Sequence, residues 1–156
     1  MIRLTKQADY AILLLIHMAE QPEGAFHSAR GLAEEVHLPL PMVSKVLKQM
    51  ARQGLLHSHR GVRGGYCLAV DPQRISVAEI IETVEGPIGI TDCSTEDGAL
   101  CSILAVCTSR RKWNRINEAI QQTLRGISLA EMASPLTPAS ALAEGDILAA
   151  VTATAK

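Results

Sequence analysis

Two helical patterns separated by only three residues constrain this chain more than any other feature. Ser28 is a good N-cap for the first pattern, and the second has Pro41 near its first turn and Gly54 as a C-terminal stop. Residues 37–39 lie between the patterns and leave room only for a tight turn. We therefore predict a helix-turn-helix. In each pattern the apolar residues recur at the spacing of one buried helix face. They are Ala29, Leu32, Ala33 and Val36 in the first pattern and Val43, Val46, Leu47 and Met50 in the second.

A glycine-rich hairpin is predicted directly after the second helix. Residues 55–60 and 66–70 have the composition of two strands, and residues 61–65 between them include three glycines that suit a flexible turn. Arg60 and Arg63 stand at this turn, where a wing contacts the DNA backbone or minor groove. An ordinary surface hairpin is the alternative. The order and spacing of the elements favour a winged helix.

The second helix carries its positive charge on the face opposite the apolar stripe. Residues 1–75 have nine lysines and arginines against six acidic residues, so this half of the chain is the candidate for a polyanion partner. A solvated surface face is the alternative, but the adjoining basic hairpin favours binding to double-stranded DNA. The residues expected to contact DNA are Ser28, Pro41, Met42, Ser44, Lys45, Lys48, Arg60, Arg63 and Gly64.

Three cysteines are crowded into a second candidate site. Cys93, Cys101 and Cys107 fall within fifteen residues, with seven and five residues between them and no histidine in the segment. A zinc site usually shows shorter spacings, whereas an iron–sulfur cluster tolerates wider loops; both need four ligands. A redox dithiol and unrelated cysteines also remain open. Cys67 lies on the returning strand and is interpreted as a small packed side chain.

A long helical pattern follows the third cysteine. Its apolar residues repeat at steps of three and four, which indicates a packing face for another helix, either internal or from a partner. A homodimer is favoured because no long neighbouring helix is evident in the chain itself. A dimer would present two recognition helices about 34 Å apart to a palindromic operator. The residues of this stripe are Trp113, Ile116, Ile120, Leu124 and Ile127.

The composition argues against several other classes of protein. The apolar run at residues 11–18 is too short to span a bilayer and no Ala-x-Ala cleavage site follows it, so we expect a cytoplasmic protein without a membrane partner. The chain lacks a Ser-His-Asp constellation, a pair of catalytic carboxylates and a phosphate-binding loop. We therefore expect neither an enzyme nor a small-molecule substrate.

At this point the sequence resembles the Rrf-type winged-helix transcriptional regulators, a family that includes IscR-like and NsrR-like members and regulators of the SUF iron–sulfur assembly operon. The resemblance covers about residues 1–132. The runs at residues 38–45 and 85–88 are most similar to the SUF regulators. The resemblance to the family rests on Arg3-Leu4-Thr5-Lys6, Asp9-Tyr10-Ala11, Gly54-Leu55-Leu56, the run from Arg60 to Tyr66, the run from Ile75 to Ile81, and the three clustered cysteines.

The resemblance implies that Cys93, Cys101 and Cys107 hold an iron–sulfur cluster, of the 2Fe–2S type or alternatively 4Fe–4S. IscR-like members have a histidine three residues after the third cysteine, but this chain has Arg110, which cannot be a ligand. In the scheme that NsrR-like members follow, an N-terminal aspartate of the other subunit completes the site, and Asp9 occupies the matching position. An exposed or capping role is the alternative for Asp9. Other candidate fourth ligands are Glu85, Glu96 and Asp97.

The predicted fold is mainly α with a small β-hairpin: a winged helix-turn-helix plus a long dimerisation helix. We divide the chain into a DNA-binding domain at 1–75, a connecting helix and cysteine loop at 76–108, a dimerisation helix at 109–132 and a disordered tail at 133–156. The expected function is cluster-dependent repression of iron–sulfur assembly genes. A nitric-oxide or redox sensor of the same family, a thiol–disulfide switch and a constitutive DNA-binding protein are the alternatives.

Overall fold

The structure is a computed structural model that describes residues 3–61, 64–91, 94 and 107–135. Several predictions fall outside these ranges. The predictions on the wing residue Arg63, on Cys93 and Cys101, on Glu96 and Asp97, and on residues 136–156 of the tail all lie outside the described residues.

Helix α1 (Lys6–Ala19) is the centre of the core. It begins after Thr5, whose hydroxyl accepts a hydrogen bond of 3.2 Å from the Ala8 N–H. Apolar residues lie nearly all round this helix, which calls for burial on more than one side. Helices α3 (Leu40–Arg52), α4 (Val77–Glu85) and α6 (Leu129–Ala133) all pack against it, so later helices of the same chain supply the second cover.

The predicted helix-turn-helix is confirmed. Helix α2 (Ala29–Glu35) is capped by the Ser28 hydroxyl, which accepts a 2.9 Å hydrogen bond from the Gly31 N–H. The chain then turns through His37, which has a φ of 54°. Gly54 stands just past the end of α3 with a φ of 83°, a backbone conformation that favours glycine at a helix C-terminus.

The wing consists of strands β1 (Leu56–His59) and β2 (Gly65–Leu68), which pair in antiparallel register. Both strands are shorter than predicted. His27, before α2, extends this small sheet because its backbone exchanges hydrogen bonds of 2.8 and 2.9 Å with Tyr66. A Cβ at position 65 would lie 2.4 Å from the His27 carbonyl oxygen, so only glycine fits where the three segments meet.

After the long helix α5 (Arg110–Arg125), the chain packs again on the core of the winged helix through α6. Helix α5 ends earlier than its apolar pattern suggested, and Ser128 then starts α6 with a complete capping box to Glu131. Leu129 is fully buried in the same core as Leu14 and Ile75. Ser76 caps α4 in the same way, since its hydroxyl accepts a hydrogen bond from the Glu79 N–H at 3.1 Å.

The predicted fold class is confirmed: the described residues form helices around one apolar core, with a single two-stranded sheet. Cys67 is buried on β2, as interpreted from its place on the strand. Among the described residues, no helix combines the length and the apolar character that crossing a bilayer requires.

Candidate nucleic-acid interface and cysteine segment

The exposed face of α3 carries the predicted basic residues. Lys45, Lys48 and Arg52 are all exposed there, and the apolar residues of the same helix are buried on the other side. Pro41 is exposed at the start of the helix, and Met42 and Ser44 are half-buried beside it. The first turns of α3 thus offer short side chains and the later turns offer cations, which is the distribution of a recognition helix whose N-terminal part reads base edges.

The other predicted DNA-binding residues have different positions. Arg60 is exposed immediately after β1, and the φ of 131° at Gly61 turns the chain at the tip of the hairpin. A Cβ at position 64 would lie 2.3 Å from the His59 carbonyl oxygen, so Gly64 keeps the two arms of the hairpin close together. Ser28 is exposed, but its hydroxyl is engaged in capping α2.

Three hydrogen-bonded side chains connect the recognition helix to α1 and to the end of α4. The Lys45 ammonium donates to Gln7 Oε1 at 2.8 Å, and Gln7 Nε2 donates to Gln49 Oε1 at 2.8 Å. Gln49 Nε2 in turn donates to the backbone carbonyls of Thr83 at 2.7 Å and Val84 at 3.2 Å. We call Lys45, Gln7 and Gln49 the polar chain. The polar chain fixes one cation of the exposed face of α3 relative to the helix that leads into the cysteine segment.

Sequence reasoning missed the polar chain, although two of its members gave a signal. Gln49 follows Lys45 by one helical turn and adjoins the buried stripe of α3, where a polar residue calls for a hydrogen-bond partner. Its partners lie 34 and 35 residues away, which no local pattern identifies.

The described residues include only part of the predicted cysteine site. Cys107 is a half-buried free thiol just before α5, and Arg110 is the exposed first residue of that helix. Asp9 is exposed in the first turn of α1, so burial does not force it to find a partner within its own chain. No cluster of three histidine, cysteine or acidic side chains suited to a metal ion occurs among the residues that the structure describes.

Glu85 has a defined contact. One of its carboxylate oxygens accepts a hydrogen bond of 2.8 Å from the Thr5 backbone N–H, at the start of α1. This contact ties the C-terminal end of α4 to the N-terminal end of α1. A carboxylate is favourable at a helix N-terminus, which gives Glu85 a structural role there.

A buried asparagine holds the segment that leads to Cys93. Asn117 on α5 is 4% exposed, and its Oδ1 accepts from the Ile90 N–H at 3.2 Å. Its Nδ2 donates to the carbonyls of Ile88 at 3.1 Å and Ser94 at 3.4 Å. One turn later, Gln121 Nε2 donates to the same Ile88 carbonyl at 2.8 Å. We call Asn117 and Gln121 the amide clamp. Sequence reasoning missed it too; the signal was a polar stripe, Asn114, Asn117 and Gln121, at helical spacing beside the apolar one.

The fold and the basic face together define a winged helix-turn-helix DNA-binding regulator. Residues 4–135 match the Rrf2 family, described as iron-dependent transcriptional regulators. The chain belongs to the Rrf2 family, which confirms the resemblance recognised in the sequence.

Curated relatives agree with this assignment, and a solved structure agrees with the fold. The chain is 29% identical to the HTH-type transcriptional regulator IscR of Xenorhabdus nematophila, covering 84% of this chain and 79% of the relative. It is 28% identical to the regulator NsrR of Bacillus subtilis, covering 76% and 80% of the two chains. The structure of CymR from B. subtilis is similar in fold, with a TM-score of 0.71 over 88% of this chain and all of that one at 24% identity. These relatives are transcriptional regulators, a class of protein that is not enzymatic.

Proposed function

We propose that this protein is an iron–sulfur-cluster-dependent repressor that acts as a homodimer on genes of iron–sulfur assembly. The observation that carries the proposal is the position of three cysteines in an Rrf2-family chain, between the winged helix and α5. The polar chain and the amide clamp support it, because they tie the chain that leads into these cysteines to α3, at residues 83 and 84, and to α5, at Ile88 and Ile90. DNA binding and sensing would thus share one connected structure.

The donor set suits an iron–sulfur cluster. Three thiolates are the soft ligands that such clusters take, and the proposed ligands are Cys93, Cys101 and Cys107. We propose Asp9 of the partner subunit as the fourth ligand, because its carboxylate is exposed on the surface of its own chain. When bound, the cluster supplies a redox-active and oxidant-sensitive centre. Of this chain's own residues, the clamp and Glu85 hold the chain where it enters the segment that carries the thiols.

DNA binding is proposed to occur through α3 and the wing. Pro41, Met42 and Ser44 lie where base edges are read in the major groove, whereas Lys45 and Lys48 contact phosphates. The wing would contact the adjacent backbone through Arg60, Arg63 and the close approach that Gly64 allows. The Ser28 hydroxyl already caps α2, so Ser28 would contact the DNA backbone only through N–H groups at the start of that helix.

The exposed apolar face of α5 supports the dimer. Trp113 and Ile116 are 42% and 46% exposed, and a shallow apolar groove runs on along the helix past Ile120 to Leu124. An apolar stripe on the surface of a helix is typical of an interface, and a two-fold axis would pair α5 with its copy. Substitution of Ile116 by Lys is expected to give a monomer by sedimentation velocity, whereas Glu118→Lys, on another face of α5, should remain a dimer. If the Ile116→Lys protein remains a dimer, α5 does not form the dimer interface.

The function is tested by the absorption spectrum and by the iron and sulfide content of protein purified without oxygen. The proposal predicts a visible chromophore with iron and sulfide in equal amounts. A colourless protein that forms a disulfide would instead favour a thiol switch. Colourless protein without a disulfide would favour a constitutive DNA-binding protein.

The fourth ligand is tested separately with Asp9→Ala. The variant is expected to have a shifted cluster spectrum and a shorter cluster lifetime, whereas the exposed control Glu23→Ala should match the parent protein. An unchanged spectrum and lifetime would exclude Asp9. A nitric-oxide signal is the second candidate, because Arg110 replaces the histidine of IscR-like members and Asp9 matches the aspartate of NsrR-like members. Titration of the cluster-loaded protein with nitric oxide tests this candidate, which predicts loss of operator binding.

A further inference from the structure

The amide clamp uses a polar side chain where the core would otherwise take an apolar one. Asn117 is the one buried polar or charged residue among those that the structure describes. A buried carboxamide is costly unless its donors and acceptor are paired, and Asn117 pairs all of them with the backbone of residues 88–94. Buried polar groups of this kind fix one arrangement of the chain more than they add stability.

The clamp acts on the residues that bracket Cys93 in the sequence. Ser94 donates its N–H to the Thr91 carbonyl at 2.9 Å, and the hydroxyls of these two residues lie 2.6 Å apart. Asn117 holds the Ser94 carbonyl, and on the other side it holds Ile90. The backbone is therefore fixed just before and just after the first cysteine of the proposed cluster site.

One further polar atom on the same face of α5 has no hydrogen-bond partner among the described residues. The Asn114 Oδ1 atom is buried and accepts no hydrogen bond in the described part of the chain. It lines the same groove as Asn117, Gln121 and Ser94. Asn114, Asn117 and Gln121 are one helical turn apart in succession, so the face of α5 that contacts Ile88 and Ser94 is a row of amides.

We infer that Asn117 and Gln121 are positioning residues for the cluster site, because they hold the backbone at Ile88, Ile90 and Ser94 against α5. Retention of the cluster would then depend on the helix that is also proposed to form the dimer. This inference rests on the proposed function. It assigns the amide clamp no ligand role: the clamp acts through the backbone beside Cys93. Partners that hold metal ligands in place typically affect metal affinity by about 10–100-fold, so the clamp should affect cluster lifetime strongly.

The test compares Asn117→Leu, Asn117→Asp and the exposed control Gln122→Leu in the full chain. Asn117→Leu keeps the size of the side chain and removes all of its hydrogen bonds, and Asn117→Asp can still accept from Ile90 but places an oxygen against two carbonyls. We expect both Asn117 variants to lose the cluster about tenfold faster than the parent protein in air. Gln122→Leu should lose it at the parent rate.

A second readout does not involve the cluster. In the metal-free protein, alkylation of Cys93, followed by mass spectrometry, should be faster in both Asn117 variants and unchanged in Gln122→Leu. If Asn117→Leu folds poorly by circular dichroism, Gln121→Leu replaces it, because it removes only the single bond to Ile88.

The outcomes separate the inference from the proposed function. Asn117 variants that melt normally and retain both the parent cluster lifetime and the parent alkylation rate would overturn the inference. A lower melting temperature with an unchanged lifetime and alkylation rate would also overturn it, since the clamp would then be merely structural. If the parent protein holds no cluster, the proposed function fails, and the alkylation rates alone decide the role of the clamp.

Discussion

The polar chain gives the sharpest quantitative prediction on stability. Gln49 makes three hydrogen bonds, one accepted from Gln7 and two donated to carbonyls near the end of α4. A typical intramolecular hydrogen bond contributes about 1 kcal/mol net, and an unpaired buried partner costs more. Because water can reach part of this half-buried site, we expect Gln49→Leu to lower the free energy of unfolding by about 2 kcal/mol.

The assay is equilibrium unfolding in urea at one fixed protein concentration, because dissociation of a dimer makes stability depend on concentration. Gln53→Leu is the matched control. Gln53 is exposed just past the same helix, so its substitution should change the free energy by less than about 0.5 kcal/mol. A double-mutant cycle of Gln7 and Gln49 should give a coupling energy of about 1 kcal/mol. Equal urea midpoints for Gln49→Leu and Gln53→Leu would refute the reasoning.

Three other predictions concern the DNA face, the wing and the last helix. Lys48→Ala should weaken operator binding and make the logarithmic salt dependence shallower by about one unit, as filter binding at several salt concentrations would measure; an unchanged slope would remove Lys48 from the phosphate contacts. Gly65→Ala would push a Cβ into the His27 carbonyl and should destabilise the protein by about 2 kcal/mol in thermal unfolding, whereas Gly126→Ala has space and should be nearly neutral. Hydrogen bonds from the backbone N–H of Ser128, and then from its hydroxyl, lower the pKa of Glu131. The stabilising contribution of this carboxylate is therefore present above the ordinary pKa of a glutamate and is lost as the pH falls through the lowered pKa. The stability advantage of the parent over Glu131→Gln should therefore vanish in acid, and a constant advantage across pH would contradict this.

The sequence predicted the helix-turn-helix because its determinants are local. Ser28 and Gly54 act through bonds and backbone angles within a turn of their own helices. Local signals also predicted the hairpin, but they overestimated the length of its strands. The two arms pair only from Leu56 to His59 and from Gly65 to Leu68. Sequence reasoning also missed that a third segment, at His27, joins the sheet.

Other features depend on residues far apart in the chain. The apolar pattern suggested that α5 continues to Ile127, but burial of Leu129 and the capping box at Ser128 make the chain turn back after Arg125. The amide clamp joins residues 23 to 33 positions apart, so nothing in a helical window predicts which backbone groups it contacts. The approach of Glu85 to Thr5 spans 80 positions and is equally invisible to local reasoning.

The central claim is that a cluster controls DNA binding. A cluster changes operator affinity only if it binds the two states of the dimer unequally, and a coupling of about 1.4 kcal/mol corresponds to tenfold in affinity. The most direct measurement is the operator affinity of one anaerobic preparation before and after removal of its cluster by a chelator and an oxidant, at constant salt. We predict that the two dissociation constants differ by about tenfold or more. Equal dissociation constants for the loaded and the cluster-free protein would contradict it.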